Sequence, residues 1–72
     1  MVRQLVARGF RYSKDPLGEY FERGTRRVSV MRKGPLYDCY VNDYVGGGFK
    51  TVAAQVNLLS REAVLQWLAP YI

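Results

Sequence analysis

Apolar and polar positions alternate with a period of two along three consecutive stretches of this chain. In residues 26–33, Val28 and Val30 fall on one side and Arg27, Ser29 and Met31 on the other. In residues 36–43, Tyr37, Cys39 and Val41 oppose Leu36, Asp38, Tyr40 and Asn42. In residues 50–58, Val52, Ala54, Val56 and Leu58 oppose Thr51, Ala53, Gln55 and Asn57. Successive side chains of a strand point to opposite faces, so each stretch predicts a strand with one apolar face. Lys33-Gly34-Pro35 and Val45-Gly46-Gly47-Gly48 separate them with turn chemistry. Together they predict an antiparallel meander with one side packed and one side wet.

The C-terminus supplies a cover for the packed side. Ser60 has the chemistry of a helix N-cap. Leu59 and Val64 have the spacing of a hydrophobic staple. Val64, Leu65, Leu68 and Tyr71 or Ile72 recur at helical spacing, and Pro70 limits the regular helix to about residue 69. The first third reads two ways. Val2, Leu5 and Val6 before Gly9 suit a short helix with a glycine C-cap, while Val6, Phe10 and Tyr12 suit a strand. Asp15-Pro16-Leu17-Gly18 and Gly24-Thr25 read as turns, and Glu19–Arg23 as a short strand or one helical turn. The expected fold class is α+β: one domain over residues 1–72, with a three- or four-stranded antiparallel sheet and one C-terminal helix packed on one face.

Size and composition add that this core must stand on its own. A 72-residue chain buries only about 60–65% of its unfolded surface. One cysteine, Cys39, allows no intrachain disulfide, and with no histidine there is no zinc-ligand set. A hydrophobic content of 49%, with 14% aromatics, is enough for a core. The lone cysteine fits a reducing compartment, the start of the chain is too charged for a signal peptide, and no apolar run is long enough to span a membrane. The expectation is a cytoplasmic protein without cofactor.

Charge changes the picture more. Residues 1–33 hold nine Lys/Arg against three acids, a net +6, whereas residues 34–72 carry a net −1. Such asymmetry attracts polyanions and acidic protein surfaces. Arg8, Arg11, Arg26, Arg27, Arg32 and Lys33 are candidate phosphate contacts, with Tyr12 and Tyr20 nearby for stacking. Equally, arginines keep a small apolar-rich protein soluble and guard sheet edges. Gly46-Gly47-Gly48 lacks the spacing and the following Lys-Ser/Thr of a P-loop. Cys39 has no histidine to activate it and falls on the inner face. Asp38 and Asp43 fall on opposite faces of one strand, a poor arrangement for paired carboxylates. These patterns point away from an enzyme.

Residues 50–67, KTVAAQVNLLSREAVLQW, also resemble the helix-turn-helix of Cro-type phage repressors. Ala54 matches the first helix, Leu59-Ser60 the turn, and Ala63, Val64, Gln66 and Trp67 the second helix. The departures are Asn57 at an inward apolar position and Leu58 in place of the turn glycine. The resemblance implies that Arg61, Glu62 and Gln66 face the major groove of DNA. It competes with the strand that the alternation predicts for residues 50–58.

The functional expectation is a small basic binding protein of the kind that phages and mobile elements encode. It would dock on an acidic protein surface or nucleoprotein complex of the host and modulate it by steric occupation. The contact residues expected are the outward positions Arg27, Met31 and Tyr40 with the flanking Arg26, Arg32 and Lys33. The alternative is direct DNA or RNA binding through Arg8, Arg11, Tyr12, Arg61 and Gln66. A third reading is a subunit that forms a homodimer through an open sheet edge.

Overall fold

A computed structural model describes all 72 residues. Helix α1 (Val2–Ala7) leads into strands β1 (Arg11–Asp15), β2 (Gly18–Arg23), β3 (Arg26–Lys33), β4 (Leu36–Val45) and β5 (Gly48–Leu58). Helix α2 (Arg61–Leu68) follows and runs into a 3₁₀ turn at Ala69–Tyr71. The strands form one antiparallel sheet in the order β1-β2-β3-β4-β5, a meander. The α+β class and the meander are therefore as the alternation implies, but the strands number five. The count exceeds the expected three or four because β1 and β2 lie in the charged first third, where few apolar residues mark a face; Glu19–Arg23 takes the strand alternative, within β2. The start of the chain takes the helical alternative, with Gly9 at φ +90° just beyond it. No helix is long and apolar enough to cross a membrane.

Local chemistry explains the hairpins. Asp15 turns the chain between β1 and β2, its Oδ1 accepting from the Leu17 and Gly18 N–H groups at 2.8 and 3.1 Å. Between β4 and β5, Gly46 and Gly47 both have positive φ, as a two-residue hairpin with a primed turn requires.

The core lies between one sheet face and the two helices. A row of directly paired residues, Tyr12–Phe21–Val28–Val41–Ala53, crosses all five strands on that face. Phe21, Val28, Val30, Cys39 and Val41 are buried there beneath Leu5 of α1 and Val64 and Leu68 of α2. Full burial of each aliphatic side chain contributes about 1.5–3 kcal/mol, so α2 is held mainly by Val64 and Leu68, one turn apart. Ser60 caps α2 as expected, its Oγ accepting from the Ala63 N–H at 3.1 Å. Leu59 makes no staple with Val64: it is 79% exposed while Val64 is fully buried. Trp67 is half-buried against the core edge, its ring 5.4 Å from that of Tyr71.

β5 departs from simple alternation. The β4–β5 register runs Tyr37↔Leu58, Cys39↔Gln55, Val41↔Ala53 and then Asn42↔Thr51. Extra residues therefore sit at Val52 and in the Val56–Asn57 step, two β-bulges that each reverse the inward face. Asn57 takes φ +60°, a conformation asparagine tolerates better than most residues, and its N–H donates to Asp38 Oδ1 at 3.0 Å. Ala53 thus faces the core beside Val41. Val52 and Val56, expected inside, are 43% and 46% exposed.

Candidate interaction face

One face of the sheet carries no helix. Direct pairing places Arg11–Glu22–Arg27–Asn42–Thr51 in one row on it and Ser13–Tyr20–Ser29–Tyr40–Ala54 in the next. Met31, paired with Asp38, and Lys33, paired with Leu36, continue the face toward the far end of β3. Tyr44 and Phe49, paired across the Gly46-Gly47 turn, lie at its other end.

Arg27 sits at the centre. Its guanidinium carbon lies 4.7 Å from the Tyr20 ring centroid and 5.9 Å from that of Phe49, so it is held over two aromatic faces. Phe49 in turn meets Tyr44 edge to face at 5.7 Å. The Arg27 Nε is buried and has no hydrogen-bond partner, and the side chain makes no ion pair. Arg27, Tyr44 and Phe49 border a recess of ≈ 180 Å³ with Glu22, Gly24, Thr25 and Arg26. Tyr20 donates through its hydroxyl to Asp15 Oδ1 at 3.1 Å. Desolvation and then that bond raise the Tyr20 pKa. Desolvation pushes the Asp15 carboxyl up, but donation from the Leu17 and Gly18 amides and from Tyr20 outweighs it and holds the carboxyl below its usual value. Lys33 Nζ lies 3.4 Å from Asp38 Oδ2. The face thus carries Arg11, Arg27 and Lys33 against Asp15, Glu22 and Asp38, and is formally neutral.

Arg27, Met31, Lys33 and Tyr40 of the expected contact set therefore share this face. Arg26 and Arg32 do not. Arg26 points to the helix side, bidentate to Asp43 at 2.8 Å for each contact, and donates to the Tyr71 carbonyl at 3.0 Å. The hydrogen bonds to Asp43 raise the Arg26 pKa and lower that of Asp43. Arg26 thus ties β3 to β4 and to the chain end. Arg32 donates to the Gly34 carbonyl at 3.1 Å and lies 5.8 Å from the Tyr37 ring centroid. Tyr44 and Phe49 lie outside the expected contact set; their signal in the sequence is two aromatics flanking a two-residue glycine turn.

The residues of the nucleic-acid alternative are scattered. Arg8 donates to the Gln4 carbonyl at 3.3 Å, on α1. Arg11 lies on the helix-free face beside Glu22. Tyr12 and Arg61 both bind Glu19 on the helix side, the tyrosine hydroxyl at 2.7 Å and the Arg61 guanidinium through two contacts. Donation from Arg61 and then Tyr12 holds the Glu19 carboxyl low, while the hydrogen bond to Glu19, and then desolvation, raise the Tyr12 pKa. These groups edge a second recess, of ≈ 300 Å³, with Lys14, Arg32 and Tyr37. Gln66 is exposed on α2. The segment that resembles a helix-turn-helix is strand β5 followed by α2, so no helix precedes α2 to make the pair.

Cys39 is fully buried, and burial pushes its thiol pKa up to about 12. No cluster of three His, Cys, Asp or Glu residues is placed to hold a metal ion. No family model, curated protein or solved structure matches the chain.

Proposed function

We propose that this chain is a non-enzymatic binding protein whose helix-free sheet face docks on a partner protein and modulates it by steric occupation. The observation that carries the reading is Arg27: a guanidinium free of ion pairs, set between Tyr20 and Phe49 in the middle of an uncovered face. Arg and aromatic residues dominate the energetic centres of protein interfaces. The neutrality of the face favours a protein over a nucleic acid, since phosphate binding rests on an excess of positive charge. An interface of standard size takes about 800 Å² per partner. That is a sixth of the 4676 Å² this chain exposes. The partner proposed is a host protein or nucleoprotein machine, in the manner of a phage or mobile-element accessory protein.

A photo-crosslinking amino acid at position 40 tests this in lysate of the host cell, with and without nuclease. The expected result is one crosslinked protein that survives nuclease and is lost when Arg27→Ala is added. Crosslinks to nucleic acid alone, or a yield indifferent to Arg27→Ala, would refute it.

A further inference from the structure

We infer that the free edge of β5 is a homotypic docking site, where a second copy of this chain pairs antiparallel about a two-fold axis at Ala54. The two edges of the sheet differ sharply. β1 is five residues long, and its Arg11, Lys14 and Asp15 guard it with charge. β5 is eleven residues long and nearly all exposed, and residues 51–59 contain no charged side chain. It has a partner on one side only, β4, so alternate residues direct backbone N–H and C=O groups to solvent.

The distribution of exposed apolar residues selects the occupant. Four large ones lie along this stretch: Phe49, Val52, Val56 and Leu59, at 54%, 43%, 46% and 79% exposure. With Ala54 opposite its own copy, Val52 faces Val56 of the second chain, and Phe49 faces Leu59. Each exposed apolar side chain thereby meets another, and directly opposed residues of an antiparallel pair share a face. The same register sets the bulge at Val52 against the one at Val56–Asn57, so bend meets bend. A straight foreign strand has no such match.

Charge agrees. Lys50 falls opposite Leu58 of the other copy, and the two Lys50 residues lie at opposite ends of the pairing, about 26 Å apart along the strands. Parallel in-register pairing would instead stack them. Arg3, Arg8, Arg11, Lys14 and Arg23 belong to α1, β1 and β2. β1 and β2 are about four and three strand spacings, ~19 and ~14 Å, from β5, beyond the ~8 Å screening length at physiological salt. Arg61, nearer the contact, is neutralised by Glu19. The product is one ten-stranded sheet with both helix-free faces on the same side.

Sedimentation of the purified full chain over a concentration series should show the mass rising from 8.3 kDa to twice that value. Val52→Lys with Val56→Lys, both at exposed positions, should weaken association about tenfold or more while leaving the circular dichroism unchanged. In the dimer, directly opposed Cα atoms lie about 4.5–5.5 Å apart, within disulfide reach. Ala54→Cys should therefore form a disulfide-linked dimer on mild oxidation, whereas Lys50→Cys should not, and the buried Cys39 stays silent. A mass of 8.3 kDa at every concentration overturns the inference. So does a dimer indifferent to the double lysine change, or one that Lys50→Cys links as readily as Ala54→Cys. Self-association is read on the purified chain without any partner, so the homotypic edge and the partner face fail or succeed separately.

Discussion

Lysine at Val52 or Val56 should be tolerated in the folded monomer, whereas aspartate at the smaller Ala53 should not. Burying a whole valine side chain is worth about 1.5–3 kcal/mol. Val52 and Val56 are 43% and 46% exposed, so little more than half of that is at stake at either position. A lysine stem restores part of the lost contact while its ammonium reaches water. The expected cost is at most about 1 kcal/mol each. Ala53 pairs with Val41 on the core face and packs against the core. An aspartate there sets a carboxylate against Val41 at a partly buried core-edge position, which costs about 2 kcal/mol. Unbroken alternation reverses the order, because Val52 and Val56 would then lie beneath α2. Equilibrium urea unfolding followed by Trp67 fluorescence measures this, at protein concentrations low enough that association does not contribute. If either lysine variant proved costlier than Ala53→Asp, the bulges at Val52 and Asn57 would not exist as described.

Stability should fall on acidification through the ordinary carboxylate range. Glu19 and Asp43 are held below their usual values by Arg61 and Arg26. Their contribution is therefore complete above the unfolded pKa values, near 4.5 and 3.8, and is lost as pH drops toward the lower folded ones. Glu19→Gln should flatten the dependence of the urea midpoint on pH below about 5, and an unchanged slope would show that the Arg61–Glu19 pair contributes nothing. Cys39, with its pKa pushed up to about 12 and no exposure, should resist thiol reagents at neutral pH until the protein unfolds. Stoichiometric labelling of the native protein would contradict that burial.

The parts of the fold legible in the sequence are those where period and turn chemistry agree. β3 and β4 carry Val28, Val30, Cys39 and Val41 in strict alternation between glycine turns, and each of the four is buried. Ser60 announced its cap through side-chain chemistry alone. β1 and β2 were obscure because their inward positions are not reliably apolar: Tyr12 and Glu19 face inward and bind each other. A half-buried polar pair erases the period that reveals a strand. The inward face of β5 was misread for a different reason. A bulge inserts a residue without changing composition, so Val52 and Val56 look as inward as Val28 does. Only Asn57, tolerant of positive φ, hints that the ladder slips.

Charge shows the same limit more sharply. Arg26 and Arg27 are adjacent and identical in the sequence, yet strand geometry sends them to opposite sides of the sheet. On one side Arg26 finds Asp43 and the Tyr71 carbonyl and becomes part of the scaffold. On the other, Arg27 finds two aromatic rings and makes no ion pair. The net +6 of the first 33 residues is therefore not gathered on one face of the sheet. Arg26 ties strands, Arg3, Arg8 and Lys14 are exposed away from the helix-free face, and that face itself carries no net charge. What distinguishes that face is the company of its central arginine. That property depends on Tyr20 of β2 and Phe49 of β5 both reaching Arg27 of β3, and no short stretch of sequence contains it.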